Sequence, residues 1–256
     1  MNDDALQPAV RAAHGLSQQL RRGGRPGLNL ERIVEAAMTI ADRDGLAAVS
    51  MAKVAAELGF TTMSLYRHVG SKDELVTHMH DAALPTPPVD LDAHDWRTGL
   101  RQWTRAQSAA VLERPWMLDV PVNEPPLMPN SLTWLEAALR IMAELPLTGM
   151  EKLSLLTLLT GYARSEAATM INIRRTYAAR GISAANESSV YEQAMAQVTA
   201  NGRYPLLHKL ASDGELLSIP PEMSDDAADE YFSNFPVDRI LDGVEAFVNR
   251  RSATDS

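Results

Sequence analysis

The chain has no cysteine in 256 residues. Disulfides, thiolate nucleophiles and cysteine-based zinc sites are therefore excluded. No apolar run approaches the roughly 18 residues that a bilayer-spanning helix requires. The opening residues, MNDDALQPAV, place acids where a secretory leader carries bases, so a cytoplasmic protein is expected. Aromatics make up only 5%. No stretch alternates apolar and polar residues as a half-buried strand does. Bases are in deficit, with 24 Lys and Arg against 33 Asp and Glu, for a net charge of −9.

The deficit is uneven. Gln18 to His80 carries eight Lys/Arg against seven Asp/Glu, whereas Asp81 to Ser256 carries fifteen against twenty-four. Only the front segment can approach a polyanion without net repulsion. Its bases cluster in RRGGR, which sets Arg21, Arg22 and Arg25 in a glycine-rich arm. Residues 1–28 have many breakers and read as a mobile arm, with a helical turn near Val10–His14.

Helical periodicity begins after Asn29, a cap for Leu30 to Arg43, with Ile33, Ala37, Ile40 and Ala41 on one face. Ser50 caps Met51 to Leu58, and Gly59 ends it. Thr61 or Thr62 opens a short helix closing near Val69, with Leu65 and Val69 inward. Ser71 to Glu74 has the form of a capping box and opens a helix to Ala83. PTPP (Pro85 to Pro88) then marks a domain boundary. Beyond it the pattern predicts helices over Trp96–Leu112, Ser131–Leu145, Leu147–Ala179, Val190–Thr199 and Val237–Arg250. The chain reads as all-α: a mobile arm (1–28), a helix-turn-helix module (29–84) and a larger helical domain (91–251).

Two short helices joined by a glycine turn form a helix-turn-helix. The second helix must bury one face, which Leu65 and Val69 do, and present the other to base edges in the major groove. Thr61, Thr62, Ser64, Arg67 and His68 fit that demand. Tyr66 and Lys72 reach toward phosphates, as do amides at the capped helix starts near Ser50 and Ser71.

The segment RGGRPGLNLERIVEAAMTIADRDGLAAVSMAKVAAELGFTTMSLYRHVGSKDELV resembles the N-terminal domain of TetR-family transcriptional regulators. Downstream, ERPWMLDVP, PPLMPNSLTWLEAALRIM, LLTGYA, GRYPLL and VDRILDGVEAFV are similar to the ligand-binding and dimerisation domain of the tetracycline-repressor-like branch. The resemblance implies an all-α homodimer that binds an inverted-repeat operator in double-stranded DNA and is released by a small-molecule effector. By position, Thr61, Thr62, Ser64, Tyr66, Arg67 and His68 fall on the recognition helix, and Met51, Ala52 and Lys53 start the preceding one. Ala52 stands where many relatives place a long base-reading residue. The resemblance implies that Arg25 and its neighbours lie in an arm that would enter the minor groove or track phosphates.

The same resemblance implies a pocket among the helices starting near Trp96, Ser131 and Leu147. Its candidate walls are Trp103, Trp116, Met117, Met128, Trp134, Tyr162, Met170 and Phe232, with Arg164, Glu166 and Asn172 as polar orienters. Each wall residue is equally readable as core. A lipophilic or aromatic effector is expected. Tetracycline itself is not, because the C-terminal helices lack the histidine cluster that tetracycline-binding members use with magnesium. The long helix and the last helix would form the dimer interface, with Val237, Ile240, Val244 and Phe247 as its seam. The other reading is an activator, or a regulator controlled by a protein partner, with no small-molecule pocket.

No enzyme, cofactor, metal or membrane role is expected. SMAK (Ser50 to Lys53) has the Ser-x-x-Lys spacing of some hydrolases without their companion motifs, and Ser50 reads as a helix cap. His78 and His80 of HMHD diverge by about 200° on a helix, which suits an interdomain face better than a metal site. RGGRPG lacks the lysine of a phosphate loop.

Overall fold

The computed structural model describes residues 6–15, 27–88, 91, 95–121, 125–218 and 223–254. All regular structure among the described residues is helical. The elements are α1 (Pro8–Ala13), α2 (Leu30–Asp44), α3 (Met51–Leu58), α4 (Thr62–Tyr66), α5 (Lys72–Ala83), α6 (Trp96–Glu113), α7 (Pro129–Ile141), α8 (Gly149–Ala179), α9 (Glu187–Thr199), α10 (Pro205–Ser212) and α11 (Asp225–Thr254). Short 3-10 turns cover Leu46–Ala48, Pro115–Asp119 and Ala184–Asn186. Contacts group the chain into two bodies, residues 1–168 with 248–256, and residues 169–247.

The front helices start where hydroxyl and amide side chains meet otherwise unpaired N–H groups. Asn29 Oδ1 accepts from Arg32 N at 2.9 Å, Ser50 Oγ from Lys53 N at 3.2 Å, and Ser71 Oγ from Glu74 N at 3.0 Å. Glu74 reaches back past the cap to accept from Gly70 N at 2.9 Å, so the expected capping box forms in its Ser71 half, with the return bond one residue early. Gly59 closes α3 at φ 71°, a left-handed conformation that a side chain disfavours. This turn sets α4 against α3. Ile33, Ala37, Ile40, Val54, Leu65, Leu75 and Met79 are buried at the centre of the α2–α5 core. Truncating one of the large ones to Ala removes about 2–5 kcal/mol.

The contacts do not part the chain at Pro85–Pro88. Trp116, Met117 and Val120 join the α2–α5 core from the 3-10 turn and its end. Asp81, buried in the last turn of α5, caps α7 by accepting from Asn130 N and Ser131 N at 3.1 and 2.9 Å. α6 packs on α7, where Trp103 and Trp134 meet edge to face with centroids 6.1 Å apart. Arg251 grips Glu151 bidentately at 2.8 and 2.9 Å.

In the second body α9 packs on α10. Buried Thr199 donates to Met195 O at 2.6 Å, and its Oγ1 lies 3.2 Å from His208 Nδ1. Val237 and Leu241, one turn apart on α11, are buried.

Three expectations are revised. The helical turn expected near Val10–His14 in a mobile arm is a helix over residues 8–13 that packs on α5, with Ala9 and Val10 buried. α10 was hidden by the breakers Gly202 and Pro205, the second of which begins that helix. The last helix begins at Asp225 rather than Val237, and Pro236 lies inside it.

Candidate DNA interface and effector site

α4 is shorter than expected. It ends at Tyr66, and Arg67 is its C-cap. Leu65 accepts from His68 N at 2.8 Å and from Val69 N at 3.0 Å, which folds the chain over its own end. Leu65 and Val69 are buried as expected, while Thr61, Tyr66 and Arg67 are exposed and Thr62, Ser64 and His68 half-buried. Thr61 Oγ1 accepts from Ser64 N at 3.3 Å and lies 3.0 Å from Ser64 Oγ, so the two hydroxyls organise each other. Met63, 69% exposed, stands on α4 and is not among the residues the sequence singled out. Its spacing of four from Arg67, opposite Leu65, was the available signal.

The cations divide. Lys72 is exposed at the first position of α5. Lys53 instead spends its charge on Asp44, with Nζ 2.7 Å from Oδ2. Arg43 grips the same carboxylate at 3.2 Å through two nitrogens. Arg43 and Lys53 together hold the Asp44 carboxyl down to about 2. Lys53 is thus tied across the α2–α3 turn. Arg21, Arg22 and Arg25 lie outside the described residues.

The effector candidates scatter. Trp116 belongs to the α2–α5 core, where its Nε1 donates to Asp42 Oδ1 at 2.6 Å, and Met117 is buried in the same core. Met128 is buried against Ala9 and Val10. Trp103 donates to Trp134 O at 3.0 Å and Trp134 to Pro85 O at 2.7 Å, so both indoles are satisfied inside the packing. Phe232, 49% exposed, meets Tyr231 edge to face at the surface. Met170 is half-buried one turn beyond Glu166 on α8, and Asn172 is exposed.

A polar cluster does form between α6 and α8. Tyr162 donates to Glu166 Oε1 at 2.6 Å, and buried Ser108 donates to Oε2 at 3.3 Å. Burial, then the Glu166 carboxylate, push the Tyr162 phenol up, so it stays a donor. Ser108 was not foreseen, because nothing local in α6 sets it apart. Arg164 leans the other way, with Nη1 and Nη2 at 3.4 and 3.5 Å from Met117 O and Leu118 O. Burial pushes its guanidinium down, and burial together with Arg164 pushes His80 down.

The seam expected on α11 is mixed within one chain. Val237 is 1% exposed, Ile240 and Val244 are half-buried, and Phe247 is 38% exposed. Among the described residues, no cluster of three or more His, Asp or Glu could hold a metal ion. None of the described helices is long and apolar enough to cross a membrane.

A capped helix-turn-helix whose second helix buries Leu65 and exposes Met63 and Tyr66, carried in a larger helical chain, is the arrangement of a DNA-binding regulator. Residues 33–79 match the family "Bacterial regulatory proteins, tetR family", and residues 87–248 match "Tetracyclin repressor-like, C-terminal domain". The chain is 35% identical over 232 residues to the HTH-type transcriptional repressor DrrR1 of Streptomyces coeruleorubidus, covering 90% of this chain and 82% of that one. It is 30% identical over 109 residues, 42% of this chain and 46% of the other, to an HTH-type transcriptional regulator of Saccharopolyspora erythraea. Its fold is similar to that of the TetR family protein ActR of Streptomyces coelicolor in complex with actinorhodin, at 23% identity and a TM-score of 0.67, covering 86% and 98% of the two chains. The chain belongs to the TetR family of transcriptional regulators.

Proposed function

We propose that the chain is a repressor that binds an inverted-repeat operator as a homodimer and leaves it when a small lipophilic or aromatic effector binds. The observation that carries the reading is α4 itself: Leu65 and Val69 are buried beneath it while Met63, Tyr66 and Arg67 stand exposed. Arg67 fits a guanine edge, Thr62 and Ser64 fit mixed edges, and exposed Met63 fits a thymine methyl. Tyr66 and Lys72 suit phosphates. The arm containing Arg25 is assigned to the minor groove by its composition alone.

On the effector side, the Glu166–Tyr162–Ser108 cluster sets hydrogen-bonding groups beside Leu159, Ala163 and Ala167, which are fully buried in the packing of α8. That pairing suits an apolar ligand with a few donors. Small molecules bound to ActR, a protein of the same fold, favour such a ligand over a protein partner. Ile240, Val244 and Phe247 supply the part of the α11 seam still open to a second copy. A protein of this kind works in the cytoplasm.

Selection of bound DNA from a random pool by the purified protein at fixed near-physiological salt tests the reading. An inverted repeat supports it. Recovery of no sequence, both before and after refolding to strip any bound effector, overturns it. Actinorhodin is a first probe for release from the recovered repeat.

A further inference from the structure

Helix α1 lies outside both family matches, yet it is built into the joint where the helix-turn-helix module meets α7. Its body packs on α5. Ala9 and Val10, 1% and 6% exposed, form a hydrophobic cluster with Met128 that is separate from the main core and edged by Leu6 and Ala13. Just past the helix, His14 Nε2 lies 2.7 Å from Leu127 O. Leu127 and Met128 are the two residues that lead into α7.

The same joint is pinned from α5. Asp81 Oδ1 accepts from Ser131 N and Ser131 Oγ, each at 2.9 Å, and Oδ2 from Asn130 N at 3.1 Å. Asn130 Nδ2 returns a bond to Asp81 O at 3.0 Å. α1 therefore touches both sides of a pinned contact, α5 on one side and the α7 entry on the other. Rotation of α5 against α7 must break either the packing of α1 on α5 or the hold of Val10 and His14 on Met128 and Leu127.

A helix of six residues does not hold its shape alone in water. α1 forms because α5 and Leu127–Met128 together present its seat, and whatever binds one arrangement more tightly shifts the population toward it.

We propose that α1 is a strap that locks the α5–α7 joint and so fixes the orientation of α4 relative to the effector-binding helices. This rests on the regulator reading above and adds a control element that lies outside both matched family regions. Loosening the strap widens the range of recognition-helix positions.

The absence of native cysteine makes the test direct. Spin labels on Met63→Cys and Met150→Cys, both at exposed positions of the first body, report the α4-to-α8 separation within one chain when diluted with unlabelled protein. The native background should give one narrow distance distribution. Val10→Asp, which puts a charge into the strap's seat, should broaden it and speed hydrogen exchange at Asn130, Ser131 and Leu132 by about tenfold. Val10→Ala combined with His14→Ala should act in the same direction more weakly, and serves if Val10→Asp fails to fold. Lost protection in α1 with an unchanged distance distribution and unchanged exchange at 130–132 would overturn the strap. Neither readout uses DNA, so a chain without sequence-specific DNA binding would refute the repressor reading and leave the strap result standing.

Discussion

Trp116 and Asp42, 74 residues apart in the chain, are joined by an indole N–H donating to Oδ1 at 2.6 Å. The bond anchors the 3-10 turn Pro115–Asp119 to α2, and that turn's far end receives Arg164 from α8. Trp116→Phe keeps most of the ring volume and removes the bond. It should lower stability by about 1–2 kcal/mol, less than the full value for a charged acceptor because Asp42 is open to solvent. Trp116→Ala should cost about 3–5 kcal/mol through the cavity it leaves. Urea unfolding curves of both variants check the ordering.

Asp81→Ala strips the acceptors from Asn130 N, Ser131 N and Ser131 Oγ at a buried helix start. Loss of such a cap should cost about 2–3 kcal/mol. Exchange should rise first in the opening turn of α7, which mass-spectrometric peptide mapping reads. Unchanged protection there would mean that solvent replaces the cap.

The Glu151–Arg251 pair carries an acid dependence. Arg251 holds the Glu151 carboxyl from the ordinary 4.5 down to about 2. The unfolded chain takes up that proton first as pH falls, so the pair's stabilisation is full above pH 4.5 and is lost as pH drops toward 2. Glu151→Gln should flatten the fall in unfolding midpoint across that window, and solvent exposure of the pair keeps the effect small.

On DNA the cations should separate. Arg67→Ala should weaken operator binding by about 1–3 kcal/mol and relax preference at one base position, while Lys72→Ala should weaken all sequences alike and lower the salt slope by about 1. Lys53→Ala should change affinity little, because Lys53 is already paired with Asp44. Fluorescence anisotropy over a salt series reads all three.

The helix-turn-helix was legible because its signals are local. Asn29, Ser50 and Ser71 each sit three residues before the amide they cap, and Leu65 and Val69 share a face by spacing alone. The effector half was less legible because its residues are placed by distant partners. Nothing near Trp116 in sequence reveals Asp42, and nothing near Met128 reveals Val10. α1 spans fewer than two turns, too short for periodicity to show a buried face. Pro236 reads as a helix start yet sits inside α11. Lys53 carries a partner that its position in the sequence does not show, since it shares the Asp44 carboxylate with Arg43.

The most direct test of DNA recognition through α4 is the ratio of affinities for the selected inverted repeat and for a scrambled duplex of equal length, measured at one physiological salt concentration. A sequence-specific regulator should show a ratio of roughly 10³ or more, falling in Arg67→Ala. A ratio near one in the native protein, at the same salt and after removal of any bound ligand, would contradict the account.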